Sequence, residues 1–526
     1  MFWADAVVGD IRKKLKTRIE GGDPLIVRDE KTASGRVHVG SMRGVAIHSI
    51  IRTLLKEERV PAAFLFEIND FDPMDGLPVY LDAKMYEEHM GKPLCTIPSP
   101  DGKAKNFAEY FAQEFIEVIK TSGFAVDEFP RASELYRSGK MNDVIRAALL
   151  HADTIRDIYK KISGSDKGKD WLPLNVVCEK CGKIGTTKVH TFDGTFVTYT
   201  CEPDMVTWAK GCGHKGKISP FDGNAKLPWK VEWAAKFKTY NVSVEGAGKD
   251  HSTKGGSRDI ANAISREVFE YESPFDIPYE FFLVGGKKMS SSKGAGSSSK
   301  EIADLVPPHI FRLALLQKHP KSTLEFTPDG DTIPLLFDRY DEIAGKYFGD
   351  AKDDQARLFE VIHLGEQVKE HFLPRFSQIA FISQIPSVDV YEHAESMKGA
   401  PLTKEDKKEV ELRLAYALNW IKEFTPEDYM FEIQKTVPKQ ARGFSGAQKH
   451  ALQKLLEYIN STEKIDGQEM HTKLHDIRKE ADIEPKEFFG ALYISLLGKE
   501  SGPKAGWFLS VLDRDFLIER LREVST

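Results

Sequence analysis

The sequence predicts an α/β front half, interrupted by a cysteine-bearing insertion and followed by an all-α C-terminal half. Three observations carry this. The apolar run Leu25-Ile26-Val27 leads through a Gly-bracketed turn, TASGRVHVGSMRG, into Val45, Ala46, Ile47, Ile50, Ile51, Leu54 and Leu55, whose spacing is that of a buried helix. Four of the chain's five cysteines fall between Cys178 and Cys212. After Lys300 the apolar positions recur at helical spacing and strand-like runs almost vanish.

The first turn is built for a nucleotide. Gly35 and Gly40 remove the Cβ atoms that would keep a ligand off the backbone, and a helix beginning near Gly40 aims unpaired N–H groups at whatever lies in the turn. His38 adds a donor that titrates near neutral pH. Val60 to Asn69 then reads as a central strand, ending in Asn69-Asp70-Phe71-Asp72-Pro73-Met74-Asp75-Gly76. Open α/β sheets place ligands at such carboxyl ends, so Asp70 and Asp72 are candidates to hold a cation, while Asp75 fits a turn.

Helices are expected over 106–121 and 142–162, with a loop over 92–105. Cys178-x2-Cys181 has the spacing of a zinc knuckle, and Cys201 and Cys212 complete a four-thiolate set, with His214 as a competing ligand and His190 a poorer one. Such a closed site is structural, because it leaves no position for water. Cys95 stands alone and reads as a packing residue.

The aromatic stretch around Trp229 and Trp233 precedes a strand over 241–245 and the loop Gly246-Ala-Gly248-Lys249-Asp250-His251, followed by a helix over 258–271. A strand over 279–284 leads into Gly285-Gly286-Lys287-Lys288-Met289-Ser290-Ser291-Ser292-Lys293-Gly294, a Gly/Ser loop whose lysines suit an anionic ligand. Helical segments follow at 302–316, 333–348, 355–372, 410–424, 447–459, 486–497 and 507–521.

A chain of 526 residues exceeds one hydrophobic core, so several domains are expected. The net charge of −6 excludes a uniformly basic surface but not a local nucleic-acid-binding face. No run of about 18 apolar residues suggests a membrane span, the N-terminus has no secretory pattern, and cysteine usage points to the cytoplasm.

HVGS near the front and KMSSS near the end of one α/β region resemble HIGH and KMSKS, the two signatures of class I aminoacyl-tRNA synthetases. Together with GKDH-x3-GG, KMSSSKG, the cysteine-bearing insertion and the helical tail, they make the chain similar to class I lysyl-tRNA synthetases over most of its length. The resemblance implies a Rossmann-type catalytic domain with a zinc-binding insertion, then an all-α C-terminal anticodon-binding half. Its parts would be 1–90 and 226–300 for the catalytic domain, 91–225 for the insertion, 301–375 for a helical stem-contact region and 376–526 for the anticodon domain. It implies ATP-dependent joining of lysine to the terminal ribose of tRNA(Lys) through lysyl-adenylate, with Mg2+ and a structural Zn2+, in a cytoplasmic monomer that activates lysine well only with tRNA bound.

By the same resemblance Ser34, Gly35, His38, Gly40, Ser41, Met289, Ser290, Ser291, Ser292 and Lys293 would bind ATP. Catalysis would fall to His38, Ser41, Lys288 and Lys293; Ser291 stands where the general pattern has its second lysine, so Lys293 is the candidate for that role. Asp29, Glu30, Asp70, Trp233, Gly248, Asp250, His251 and Tyr279 would border the amino acid. Asp29, Glu30, Asp70 and Glu232 are the candidate carboxylates for its ammonium. No second zinc site is expected near 98–103. A glutamate- or glutamine-specific enzyme of the same class would instead want an arginine, with Arg28 and Arg43 available. The long helical tail argues against a tRNA-independent paralogue, and intact HVGS and KMSSSKG argue against a zinc-ribbon nucleic-acid binder with a lapsed nucleotide site.

Overall fold

A computed structural model describes residues 1–286, 297–328, 330–349, 353–386, 388–423, 430–462 and 466–526. It divides into two compact units, one of residues 1–327 and 343–367, the other of 328–342 and 368–526.

The first unit is organised on a parallel sheet. Strand β1 (Leu25–Thr32) pairs in register with β2 (Ala62–Asn69), from Leu25 opposite Ala62 to Thr32 opposite Asn69. On its other side β1 meets β3 (Val242–Val244), giving the order β2-β1-β3. Bridges continue the parallel arrangement outward, Leu65 to Glu128 and Ile68 to Arg131 beside β2, and Val244 to Phe275 and Gly248 to Tyr279 beside β3. Between β1 and β2 runs α1 (Met42–Glu57), buried from Met42 to Ile51 on every face, which is why its apolar residues are so dense. Three strand ends rich in polar residues, at 32–38, 69–75 and 245–251, therefore emerge at one edge of a single sheet.

The apolar run before the lysine loop is an exception. Only Phe282–Val284 is a strand, and it pairs in parallel with Leu324–Phe326 in a separate two-stranded sheet. The expected helix over 142–162 is two, Asn142–Leu150 and Ala152–Ser163, and that over 302–316 is broken before Pro308 into Ser299–Ala303 and Pro308–Leu316. The helix expected over 355–372 ends at Ile362, where Leu364 and Gly365 take positive φ.

The insertion carries its own antiparallel sheet of Thr187–Phe192, Val197–Cys201 and Lys215–Ile218. In the second unit the described residues form helices; in one apolar cluster Leu452, Leu455 and Ile459 of Gly446–Ser461 meet Leu517, Leu521 and Val524 of Arg514–Ser525, and Ala394, Leu402 and Val410 make a separate small one. The segment expected as one helix over 507–521 is split into Ala505–Val511 and Arg514–Ser525, because the Asp513 side chain caps the second at Phe516 N–H.

Candidate active site and cysteine centre

Two of the polar strand ends, at 32–38 and 245–251, enclose with residues 279–282 a cavity of about 430 Å³. Ser34, His38, Gly40 and Ser41 line one side, from the turn that opens α1. A Cβ on Gly40 would come within 2.9 Å of His38 Nδ1, so a side chain here would have to displace the His38 ring. One on Gly44 would overlap Asp29 Oδ2 and approach the Tyr279 hydroxyl to 2.8 Å, so only glycine lets α1 lie against the wall bearing those two groups.

The turn is tied to the far end of the lysine loop. Ser299 donates to the Val37 carbonyl through its N–H and its Oγ, each at 2.8 Å, and Val39 N–H reaches Ser297 O at 3.3 Å. Ser298 closes the junction by capping the next helix with Glu301 in a reciprocal box. Lys288, Met289, Ser290, Ser291, Ser292 and Lys293 lie outside the described residues.

The opposite side of the cavity is aromatic and acidic. Trp229 and Trp233 stack with centroids 5.9 Å apart, and His251 meets both edge-on at 5.1 and 6.1 Å. Trp233 Nε1 donates to Glu245 at 2.5 Å. Gly248, Asp250, Tyr279, Asp29 and Glu30 also line the cavity. Gly35 is not among the lining residues.

Asp70 is elsewhere. Its carboxylate accepts from Ser133 N–H at 2.7 Å and Ser133 Oγ at 2.6 Å, so its acceptors serve an internal bond rather than the cavity. Glu232 is also withdrawn, buried against Lys226 and, at 3.5 Å, Lys236. Glu245, Lys31 and Phe282 line the cavity without having been site candidates, and so does Trp229, noted only within the aromatic stretch. Glu245 ends the run Asn241-Val-Ser-Val-Glu245, and an acidic residue closing a buried strand was the available signal.

Behind the wall lies a buried charge network. Arg28 meets Glu245 at 3.1 and 3.2 Å, Glu67 at 2.9 Å and Glu30 at 2.5 Å, while Lys236 holds Glu67 at 2.5 Å and Glu30 at 3.0 Å. Burial would push the Glu30 carboxyl up, but Lys236 and Arg28 outweigh it and hold it at about 2. Arg43 points away from the cavity and donates to the carbonyls of Lys318 and His319 at 3.1 Å, and to that of Leu315, at the end of Pro308–Leu316.

Asp29 differs from its neighbours. Among the described residues no lysine or arginine lies within 4.0 Å of it; Oδ1 accepts from Glu30 N–H at 2.8 Å and Oδ2 faces His48 Nδ1 at 3.3 Å. His48, fully buried, accepts from Gly246 N–H at Nε2 (2.7 Å) and therefore carries its proton on Nδ1, which also meets Gly44 O at 2.7 Å. Burial disfavours a charged ring, but Asp29 and the Gly44 carbonyl outweigh burial and raise its pKa.

The four cysteines converge in the insertion. Their Sγ atoms all lie within 4.8 Å of one another, with Cys178 to Cys212 and Cys181 to Cys201 each at 3.7 Å. Gly182 (φ 73°) follows Cys181 and Gly213 (φ 75°) follows Cys212, so both thiol-bearing turns use the left-handed region. His214 contributes its carbonyl to Cys201 N–H at 2.8 Å, and its ring lies 4.0 Å from Glu179; among the described residues the cluster contains only cysteines.

The family profile described as tRNA synthetases class I (K) matches residues 1–367. The chain belongs to this family. An anticodon binding domain profile matches residues 387–525. Among relatives, a lysine–tRNA ligase of Methanosarcina barkeri is 33% identical over 548 residues, covering 100% of this chain and 98% of that protein. One from Archaeoglobus fulgidus is 32% identical, covering 99% of each. A glutamate tRNA ligase from Elizabethkingia meningosepticum, crystallised with its amino acid, aligns at 11% identity and a TM-score of 0.43 over 96% of this chain and 99% of that one. The α/β front and helical C-terminal half are those of a class I synthetase, and no helix among the described residues is long and apolar enough to cross a membrane.

Proposed function

We infer that the chain is a lysine-specific aminoacyl-tRNA ligase, which forms lysyl-adenylate from lysine and ATP and transfers the lysyl group to the terminal ribose of tRNA(Lys). The relatives it matches from end to end are lysine–tRNA ligases. The single structural observation that carries the specificity is an acidic cavity whose described lining residues include no arginine. Arg28 is committed to three carboxylates and Arg43 to a helix end, so neither serves a carboxylate substrate.

In this reading lysine lies between Trp233 and Tyr279, with Gly248, Asp250 and His251 along it. Asp29 takes an ammonium, because Glu30 and Glu245 already have cationic partners, whereas among the described residues Asp29 meets a backbone N–H and an imidazole and no lysine or arginine. His38, Gly40 and Ser41 hold ATP, and Mg2+ accompanies its phosphates. The lysine carboxylate attacks the α-phosphorus and pyrophosphate leaves; no proton need be removed, so positioning and charge stabilisation carry the step. Lys288 and Lys293 neutralise the leaving pyrophosphate. The 2′-hydroxyl of the terminal ribose then attacks the carbonyl, forming the ester as the acyl–phosphate bond breaks, and its proton passes to the phosphate of the departing AMP.

The cysteine cluster fits a structural Zn2+. Zn–S bonds of about 2.3 Å set tetrahedral S···S edges of about 3.8 Å, and two pairs here stand at 3.7 Å. Cys178, Cys181, Cys201 and Cys212 would hold it, while Cys212 N–H, 3.3 Å from Cys201 Sγ, orients that ligand. The chain works in the cytoplasm as a monomer. Charging of total tRNA with lysine, glutamate and glutamine in parallel tests the reading: lysine alone should be attached, and attachment of glutamate would overturn it.

A further inference from the structure

Beside the cavity, on the surface of the first unit, two ammonium groups share one aromatic ring. Lys167 Nζ lies 4.9 Å from the centroid of the Tyr159 ring and Lys230 Nζ 5.8 Å from it; Lys167 also sits 5.7 Å from Trp171, which meets Tyr159 edge-on. Neither lysine has a carboxylate within 4.0 Å or a hydrogen-bond partner among the described residues. The ring accounts for holding one cation there, but gathering two against their mutual repulsion leaves an unmatched positive site. Burial and the proximity of Lys167 both lower the pKa of Lys230.

The surroundings extend the charge. Residues 160–169 carry Lys160, Lys161, Lys167 and Lys169 against Asp166, which lies 3.8 Å from Lys160. An open groove of about 660 Å³ adjoins the end of the same helix, lined by Ile162, Lys254, Gly255, Asn262 and Arg266 and by one carboxylate, Asp259, which accepts from Gly255 N–H at 2.8 Å. Two of these cations are close in the chain to cavity-lining residues: Lys230 follows Trp229, and Lys254 lies three residues beyond His251.

We propose that Tyr159, Lys167 and Lys230, with Lys254 and Arg266 along the groove, form a phosphate-binding track that guides the 3′ acceptor strand of tRNA into the cavity. The proposal rests on the ligase reading, since only that reaction requires a polyanionic strand to end where Trp229 and His251 stand. A row of unpaired lysines at that mouth supplies backbone attraction without base readout.

The test is the full-length chain carrying Lys167→Glu and Lys230→Glu, with unchanged thermal unfolding as the check on folding. Equilibrium binding of tRNA and of an acceptor-stem minihelix is titrated over a range of salt, alongside charging kinetics. We expect both RNAs to bind at least about tenfold more weakly, and the slope of log K against log[salt] to fall by about one to two. The KM for tRNA should rise while the KM values for lysine and ATP and the kcat stay within about twofold. Unchanged affinity and salt slope for the minihelix would overturn the proposal, as would a raised KM for ATP with RNA binding intact, which would assign the lysines to the nucleotide. RNA binding is read without charging, so a parent enzyme that failed to attach lysine would sink the ligase reading while the track was judged separately.

Discussion

Ser299 donates twice to the Val37 carbonyl, through N–H and Oγ, each at 2.8 Å. One bond fixes the backbone that follows the lysine loop; the second makes the link depend on a side chain. Ser299→Ala removes only the second and leaves the carbonyl satisfied, so the loss should be about 0.5–1.5 kcal/mol. If that bond sets the loop against the His38 turn, lysine-dependent pyrophosphate exchange should slow roughly two- to tenfold, with the KM for lysine unchanged. An unaltered rate would mean the backbone bonds suffice.

Asp29 and Glu245 both line the cavity, yet their removal should have opposite signatures. Asp29→Asn deletes a charge whose partners are a backbone N–H and His48, so folding should be nearly unaffected, while the loss of a charged hydrogen bond to the ammonium, about 1.5–3 kcal/mol, raises the KM for lysine roughly 10- to 150-fold. Glu245→Gln removes a charge that Arg28 meets with both carboxylate oxygens. Breaking such a buried pair costs about 3–5 kcal/mol, so its main effect should be a lower melting temperature. Measuring lysine KM and unfolding on the two variants separates the roles, and a stable Glu245→Gln with the larger KM effect would reverse the assignment.

The reach of the sequence reading follows the range of the interactions concerned. The βαβ unit around His38 and the four converging cysteines were visible, because a glycine corner, a buried helix and a thiol knuckle are written in neighbouring residues. Asp70 was misplaced as a site residue because its partner, Ser133, is 63 positions away. Arg28 looked available for a substrate, and its commitment to Glu67 and Glu245 arises only when β1 lies between β2 and β3. His48 drew no notice between the apolar residues of the buried helix, although its position four after Gly44 brings it beside Asp29 and Gly246. Each miss is a pairing between strands or layers, which local spacing does not encode.

His48 predicts an acid limb for lysine recognition. Its pKa is raised above the ordinary 6.5, so the ring gains a proton as pH falls through that higher value. The imidazolium then pairs with Asp29 and can no longer accept from Gly246 N–H, and both changes oppose the substrate ammonium. kcat/KM for lysine should therefore decline with falling pH at or above 6.5. The linked stability runs the other way: the ion pair's contribution is present below 6.5 and lost as pH rises through the folded-state pKa. His48→Gln should remove the limb, and an identical pH profile in that variant would assign it to another group.

The cysteine centre predicts one zinc per chain by elemental analysis. Cys178→Ser should lose the metal and lower the melting temperature, because metal affinity is folding free energy for the turns that carry the ligands. Conversely, His214→Ala should keep the metal, its ring standing outside the thiol cluster. Zinc loss in the histidine variant would place His214 in the ligand set.

The second unit has its own acid sensitivity. Asp406 is almost fully buried and accepts from Lys398 Nζ at 2.6 Å and from the N–H groups of Phe372 and Thr403 at 2.7 Å each. Burial works against its charge, but Lys398 and these N–H groups overcome it and hold the carboxyl well below its usual range. A depressed carboxyl pKa contributes stability that is complete above the unfolded value, near 3.9, and is lost as pH falls toward the folded one. Unfolding of the helical unit should therefore become easier below about pH 4. Asp406→Asn should cost roughly 2–3 kcal/mol at neutral pH, and progressively less below about pH 4, because the unfolded chain then gains a proton that the folded carboxylate refuses. A pH-independent difference between the two proteins would show that packing, and not the carboxylate, holds this corner.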